Sequence, residues 1–386
     1  MTSGHGRKPI LPGATIGILG GGQLGRMTAM AARSLGYRVH ALDPDPSCAS
    51  RYVVERLITA PFDDAGAAEE LARGCAVVTL EIEKISLESL GAVARHVPLR
   101  PSRAVLEIIG DRGDQKSWLE ENGFPLGPWR KAASSEELHR AAKELGGDLF
   151  VKTRRGGYDG GGQARVKTAD ESVGAFTLLG GVPVVAERAL DLEAELSVLV
   201  ARSPSGEIAV YEPALNHHEE RILAWSCLPG PLPPQVKRDA VELAREIARK
   251  IAVEGLLVVE LFLTRDGKLY VNELAPRPHN SFHATEIACL TSQFEQHVRA
   301  VCDLPLGSTE VTRPAAIVNL LGDLWVDGQS PAFDRALEIP GVRVHLYGKR
   351  VARPRRKMGH LSASAPTPEE AVQKVLAAER ALLSGS

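Results

Sequence analysis

Through the first hundred residues, short apolar runs alternate with stretches of helical periodicity. Residues 14–19 (ATIGIL) predict a strand, 23–36 a helix, 37–42 a strand, 63–74 a helix and 76–81 a third strand. This β-α-β-α-β order predicts a parallel, doubly wound sheet. Near residue 110 the rhythm changes. Residues 111–123 read as a helix closed by Gly123, and Ser134-Ser135-Glu136-Glu137 as a capping box opening a helix that runs to about Leu145. Strands are predicted at 148–153, 163–167 and 182–188.

From about residue 190 a longer block begins with a strand at 195–202 and includes an amphipathic helix over 241–252. Two apolar strands, 256–264 and 268–274, flank Arg265-Asp266-Gly267, a hairpin signal. Thr367-Pro368-Glu369-Glu370 opens a last helix. Three parts are expected: 1–110, a parallel α/β domain; 111–189, a small α+β unit; and 190–386, a large α+β body whose C-terminal lobe starts near 312.

At 386 residues the chain is long enough for two or three domains with substantial cores. Its formal charge of −2 gives no global attraction to nucleic acid or membrane, so any anion site must be a local cluster. No apolar run approaches the roughly 20 residues of a membrane span. The five cysteines are scattered without C-x-x-C spacing, which points to reduced thiols, a cytoplasmic setting and no zinc site.

Candidate chemistry begins at residues 16–25, IGILGGGQLG. Gly20, Gly22 and Gly25 satisfy G-x-G-x-x-G after an apolar run, and Asp43 stands near where a dinucleotide-binding enzyme keeps its ribose-binding acid. The stretch alone leaves a dehydrogenase open. VKTRRGGYDGGGQ (151–163) places Lys152 on a strand before a glycine-rich loop whose backbone N–H groups can surround phosphate oxygens. An ordinary hairpin tip is the alternative. On the predicted hairpin, Glu260 and Glu273 face each other, with Asn272 beside them. Two facing carboxylates on an apolar strand pair call for a cation, and nucleotide-bound Mg²⁺ is the natural one. A solvated edge hairpin would carry no such ion.

ELAPRPHNSFH (273–283) sets Arg277, His279, Asn280, Ser281 and His283 on a backbone fixed by prolines, which suits a substrate wall. HLYGKRVARPRRKMGH (345–360) gathers Lys349, Arg353, Arg355, Arg356 and Lys357 into a local positive patch. It reads as a small-molecule phosphate clamp, a nucleic-acid contact or a solvated basic loop; aromatics at 5% weigh against nucleic acid. His217-His218 lack the partners of a transition-metal site, and contact of one with a nucleotide is the better reading.

Taken in order, GILGGGQLGRM, LDPDP, DR…QK, VKT…GGYDGGGQ, NHH, VNELAPRPHNS, SQFEQHVRAV and HLYGK…RKMGH resemble the N5-carboxyaminoimidazole ribonucleotide synthetase family of ATP-grasp enzymes, over about residues 14–380. PRPHNS, SQFEQH and RKMGH are the specific pieces. The resemblance implies an ATP-grasp fold of mixed α/β and α+β class, with an N-terminal Rossmann-like domain that holds no nicotinamide, a small lid domain and a larger C-terminal α+β domain. It implies ATP-driven carboxylation of 5-aminoimidazole ribonucleotide by bicarbonate through carboxyphosphate, with Mg²⁺, or Mn²⁺ in its place. A homodimer and hand-off of product to a mutase are implied as well.

By the same resemblance Arg112 and Lys152 contact ATP phosphates, and Gly157, Tyr158, Asp159, Gly160, Gly161, Gly162 and Gln163 cover them. Glu187, Arg188, Ala189 and Leu190 form the adenine hinge, with Glu195 on the ribose and His218 nearby. Glu260 and Glu273 are the metal ligands, Asn272 assisting. Tyr158, Asp159, Arg277, His279, Asn280 and Ser281 meet the ribonucleotide, and Lys349, Arg356 and Lys357 hold its phosphate. The expected catalytic group is Glu260, Glu273, Asn272, Arg277 and Lys152.

The chain departs from the family pattern at several positions. Gly161 stands where a Lys or Arg is usual, Leu80 where a phenylalanine is, and Phe282 where a glycine is. Ala284 replaces an aromatic, Glu286-Ile287 reverses Ile-Glu, and Leu215 replaces Glu. These changes predict an altered lid and an altered substrate wall. They also motivate two alternatives, a ligase for another small acid or amine and a nucleotide-binding homologue without turnover.

Overall fold

The computed structural model describes residues 8–156, 161–325 and 328–383. Strands Thr15–Leu19, Arg38–Asp43, Arg56–Thr59 and Val77–Leu80 form one parallel sheet, with Thr15–Leu19 between Arg38–Asp43 and Val77–Leu80. Thr15–Leu19 and Val77–Leu80 are buried along their whole length, as crossover helices covering a parallel sheet require. The doubly wound expectation holds; the short edge strand Arg56–Thr59 carries too little apolar pattern to be seen in sequence.

A second, four-stranded antiparallel sheet is ordered Trp129–Ala132, Val184–Arg188, Leu149–Thr153, Gln163–Val166. Helix Ser135–Leu145 packs its apolar side on this sheet, burying Leu138, Ala141, Ala142 and Leu145. The Ser134 hydroxyl accepts from the Glu137 N–H at 3.2 Å, and the Glu137 carboxylate accepts from the Ala133 N–H. The capping box therefore works as read, its return bond shifted by one residue. Gly146, at φ +90°, closes the helix in the left-handed region.

The third sheet has nine strands, all paired antiparallel. Its core strands are Leu192–Arg202 and Gly255–Thr264, with Leu269–Ala275 at one edge. Ala214–Glu219 and Ile222–Leu228 lead across to Ala315–Leu321, Lys357–Ser364 and Val342–Leu346. The C-terminal lobe is thus a continuation of the large sheet. The basic stretch 345–360 begins at the end of strand Val342–Leu346 and ends inside strand Lys357–Ser364, which is buried along most of its length. The amphipathic helix begins seven residues earlier than its periodicity suggested, at Pro234, and covers one face of the large sheet.

Candidate functional site

Period-2 alternation on strand Gly255–Thr264 makes the site. Leu257, Val259, Leu261 and Leu263 face the core under helix Pro234–Lys250, while Leu256 and Val258 face a second core. Glu260 and Phe262 continue that second face into a cavity of about 790 Å³ between the small and large sheets. This volume suits a small-molecule ligand.

Glu260 and Glu273 are direct register partners across the hairpin, and a bulge follows Glu260. Both line the cavity, as the facing-acid reading requires. Around them the structure gathers cations from separate elements. Arg112 Nη2 lies 3.4 Å from Glu273 Oε1, and His279 Nε2 lies 3.1 Å from Glu260 Oε1. The Asn272 amide donates to Glu260 Oε2 at 3.1 Å and accepts from Lys152 Nζ at 3.2 Å. Burial alone would raise the Glu260 carboxyl; His279, His218 and Lys152 outweigh it and hold the group well below the usual carboxylate range.

Lys152 Nζ also lies 3.2 Å from Glu187 Oε2, and Lys116 Nζ lies 3.3 Å from the same oxygen. Burial opposes the charge on Glu187, but the two lysines keep its carboxyl below the ordinary range. Burial disfavours the charge on Lys116 and, with neighbouring Lys152 adding to it, lowers its pKa although Glu187 opposes the shift. Removing one member of such a buried set costs about 3–5 kcal/mol, since the others are left uncompensated. Glu187 Oε1 lacks a hydrogen-bond partner among the described residues although its side chain lines the cavity. It is a free acceptor for a ligand donor.

The remaining expected contacts divide by position. Gly161, Gly162, Gln163, Arg188, Leu190, Glu195, His218, Arg277, His279, Asn280 and Lys357 line the same cavity. Ala189 meets the small unit through its backbone, donating to the Asp148 carbonyl at 2.9 Å. His218 pairs with Glu195 at 2.9 Å; burial disfavours its charge, but Glu195 prevails and raises its pKa. Its neighbour His217 turns the other way and stacks on Trp225, as adjacent strand residues must. Arg277 pairs with Glu83 at 2.8 Å. Asn280 has both amide atoms buried without a partner among the described residues, and it lines the cavity.

His283, expected in the wall, is fully buried behind it and stacks on His360; Ser281 is enclosed there too, its hydroxyl bonded to Ser197 and to His279 Nδ1, each at 2.8 Å. It positions His279 rather than facing the cavity. Lys349 lies just outside the lining, reaching Gln23 at 2.9 Å, and Arg356 bonds the Val351 carbonyl away from it. Gly157, Tyr158, Asp159 and Gly160 lie outside the described residues.

Two residues escaped the sequence reading. Lys116 follows Arg112 by four positions on helix Arg112–Glu121, a spacing that puts both cations on one face, and this was the available signal. Glu81 explains the glycine pattern. Its carboxylate accepts from the Gly22 and Gly25 N–H groups at 2.6 and 2.8 Å, while Asp43 accepts from Gly21 at 2.7 Å. A Cβ at Gly20 or Gly22 would lie 2.5 or 2.6 Å from the Glu81 side chain. The anion cradle at this helix N-terminus is filled from within, so the dinucleotide reading fails.

The expected alteration of the substrate wall also needs correction. Phe282 and Ala284 are fully buried in the second core, where Phe282 meets Tyr211. Leu80 is buried in the first core, and Leu215 packs against the C-terminal core. Glu286 is half-buried beside His345, outside the main cavity. Of these departures only Gly161 faces the cavity. Glu286, His345 and His360 do bring three ligand-type atoms within 4.8 Å of one another. The rings of His345 and His360, however, stack face to face at 4.5 Å and 5°, and one ion cannot lie in both ring planes.

Three family models match the chain: a ribonucleotide synthetase preATP-grasp domain over residues 13–110, an ATP-grasp domain over 117–294, and a phosphoribosylaminoimidazole carboxylase C-terminal domain over 315–374. N5-carboxyaminoimidazole ribonucleotide synthase of Brucella melitensis is 41% identical over 92% of this chain and 97% of its own. That of Bacillus subtilis is 38% identical, covering 95% of each chain. Among solved structures, an ADP complex of N5-carboxyaminoimidazole ribonucleotide synthetase matches with a TM-score of 0.91 and 38% identity, over 96% of this chain and 98% of that one. The Aspergillus clavatus synthase in complex with ADP and 5-aminoimidazole ribonucleotide matches with a TM-score of 0.89 and 32% identity over the same shares.

Proposed function

The chain belongs to the N5-carboxyaminoimidazole ribonucleotide synthase family of ATP-grasp enzymes, and on that premise we propose that it carboxylates 5-aminoimidazole ribonucleotide with bicarbonate in de novo purine biosynthesis, using ATP. The γ-phosphoryl group passes to a bicarbonate oxygen, giving carboxyphosphate and ADP. The exocyclic amine then attacks the carboxyl carbon and phosphate leaves, forming the N5-carboxy product. The observation that carries this reading is the facing pair Glu260 and Glu273 at the floor of a cleft whose opposite side supplies Lys152.

Each group has work suited to its place. Arg112 and Lys152 neutralise the nucleotide phosphates; Glu187 to Leu190 hold the base, and Glu195 with His218 the ribose. The donor set of Glu260, Glu273 and the Asn272 side-chain oxygen is all oxygen and doubly anionic, which fits Mg²⁺. The ion, when bound, screens charge on the transferring phosphoryl group. Arg277, His279 and Asn280 face the amine-bearing substrate, with Lys357 on the cavity wall and Lys349 just outside it for its phosphate; Arg356 would have to leave the Val351 carbonyl to join them. Phosphoryl transfer leaves the protein little covalent work, so position and charge dominate.

The three sheets support domain divisions near residues 110 and 190. A cytoplasmic setting suits five free thiols; no helix among the described residues is long and apolar enough to cross a membrane. A homodimer and delivery of product to a separate mutase rest on the family alone. Purified protein with ATP, Mg²⁺ and bicarbonate should release phosphate many-fold faster once the ribonucleotide is added. A rate indifferent to the ribonucleotide would overturn the assignment.

A further inference from the structure

Strands Ala214–Glu219 and Ile222–Leu228 are joined by only two residues, Glu220 and Arg221, at φ +45° and +69°. Two-residue hairpin loops with both positions in the left-handed region belong to Asn-Gly and its relatives. A glutamate and an arginine there are held against their backbone preference, and such strain persists where the surroundings over-determine it.

Both side chains are engaged, in opposite directions. Arg221 lines the cavity, and its Nη1 donates to the Gln163 carbonyl of the small sheet at 3.0 Å. Gln163 is the register partner of Lys152. Glu220 receives Arg355 from the C-terminal segment, with Nη1 at 3.3 Å from its carboxylate and Nη2 at 3.0 Å from its carbonyl. Arg355 itself sits at φ +65° and is separated from cavity-lining Lys357 by one residue. The turn is therefore braced between the two regions that present cations to the cleft.

We propose that Arg221 is a positioning residue: from its strained turn it tethers the edge strand Gln163–Val166 to the large sheet and thereby seats Lys152 over Asn272 and Glu260. Lys152 Nζ reaches Asn272 at 3.2 Å from the strand paired with Gln163–Val166, so the tether and the lysine hold register partners on adjacent strands of the small sheet. Gly161, in the same edge segment, contributes no side chain to this docking. Arg221 does not touch the reacting atoms. Its work is to keep the lysine's phosphate-facing geometry without that geometry being re-formed at each nucleotide encounter.

The proposal rests on nucleotide binding in this cleft and is tested without the carboxylation itself. Arg221→Gly relieves the backbone strain and removes the guanidinium. Calorimetric titration with ADP and Mg²⁺ should show about fivefold weaker binding, the size of one exposed hydrogen bond, while the melting temperature stays level or rises. Arg221→Lys should restore part of the affinity. Unchanged ADP affinity in Arg221→Gly would overturn the proposal. So would a fall in melting temperature, because it would mark the arginine as scaffold alone. Wild-type protein that binds ADP but ignores the ribonucleotide would sink the carboxylase reading and leave this test standing.

Discussion

At the residue scale the chemistry turns on carboxylates that cannot tolerate their positions alone. Glu273 faces Glu260 in register and has Arg112 at 3.4 Å. Glu273→Gln keeps volume but loses the charge that the proposed divalent ion would need. Turnover should fall about 10²–10³-fold, the scale set by losing one preorganised electrostatic partner. The melting temperature should barely move, because the Arg112 ion pair is partly exposed. Steady-state kinetics beside a thermal melt check both, and near-normal turnover would place the cation elsewhere. The facing acids were legible in the sequence because a tight turn fixes which residues meet. Lys116 and Glu81 were not: one is seen only by projecting a helix face, the other only once the sheet brings residue 81 beside residue 22.

At the scale of elements, local signals survived and long-range ones did not. The Ser134 capping box and the Arg265-Asp266-Gly267 hairpin were readable because their partners lie within a few residues. The Ala214–Glu219 hairpin was invisible, since Glu-Arg is an uncharacteristic two-residue turn. The glycine turn was readable as a shape but not by its occupant. Gly22→Ala would press a Cβ against the Glu81 carboxylate at 2.6 Å. A clash against a side chain already fixed by two N–H bonds should cost about 1–3 kcal/mol, measured by denaturant unfolding. Unaltered stability would mean that Glu81 moves aside freely.

For the whole molecule, buried titratable groups set the response to acid. His283, His297 and His360 are held neutral by burial, His297 down to about 3. Their folded values lie below the ordinary 6.5, so their contribution is intact above that pH and is lost as pH falls. Burial moves Glu81 and Glu286 the other way, from 4.5 up to about 7. Those two gain stability as pH falls from about 7 to 4.5, opposing the histidines. Below 4.5 the opposition ends, and Glu187 and Glu260, whose folded values are depressed, add their loss to that of His297. Unfolding free energy should therefore decline gently to about pH 4.5 and steeply below it. A steep fall beginning at 6.5 would show that the buried carboxyls do not act as described.

One seam runs through this architecture. The acids of the hairpin and Lys357 share a single uninterrupted array of nine strands, whereas Lys152 and Glu187 ride on a separate one. The cavity lies along that seam and takes its lining from both arrays. A shift of one array against the other would carry Lys152 and Glu187 together, while Glu260, Glu273 and Lys357 would keep their mutual register.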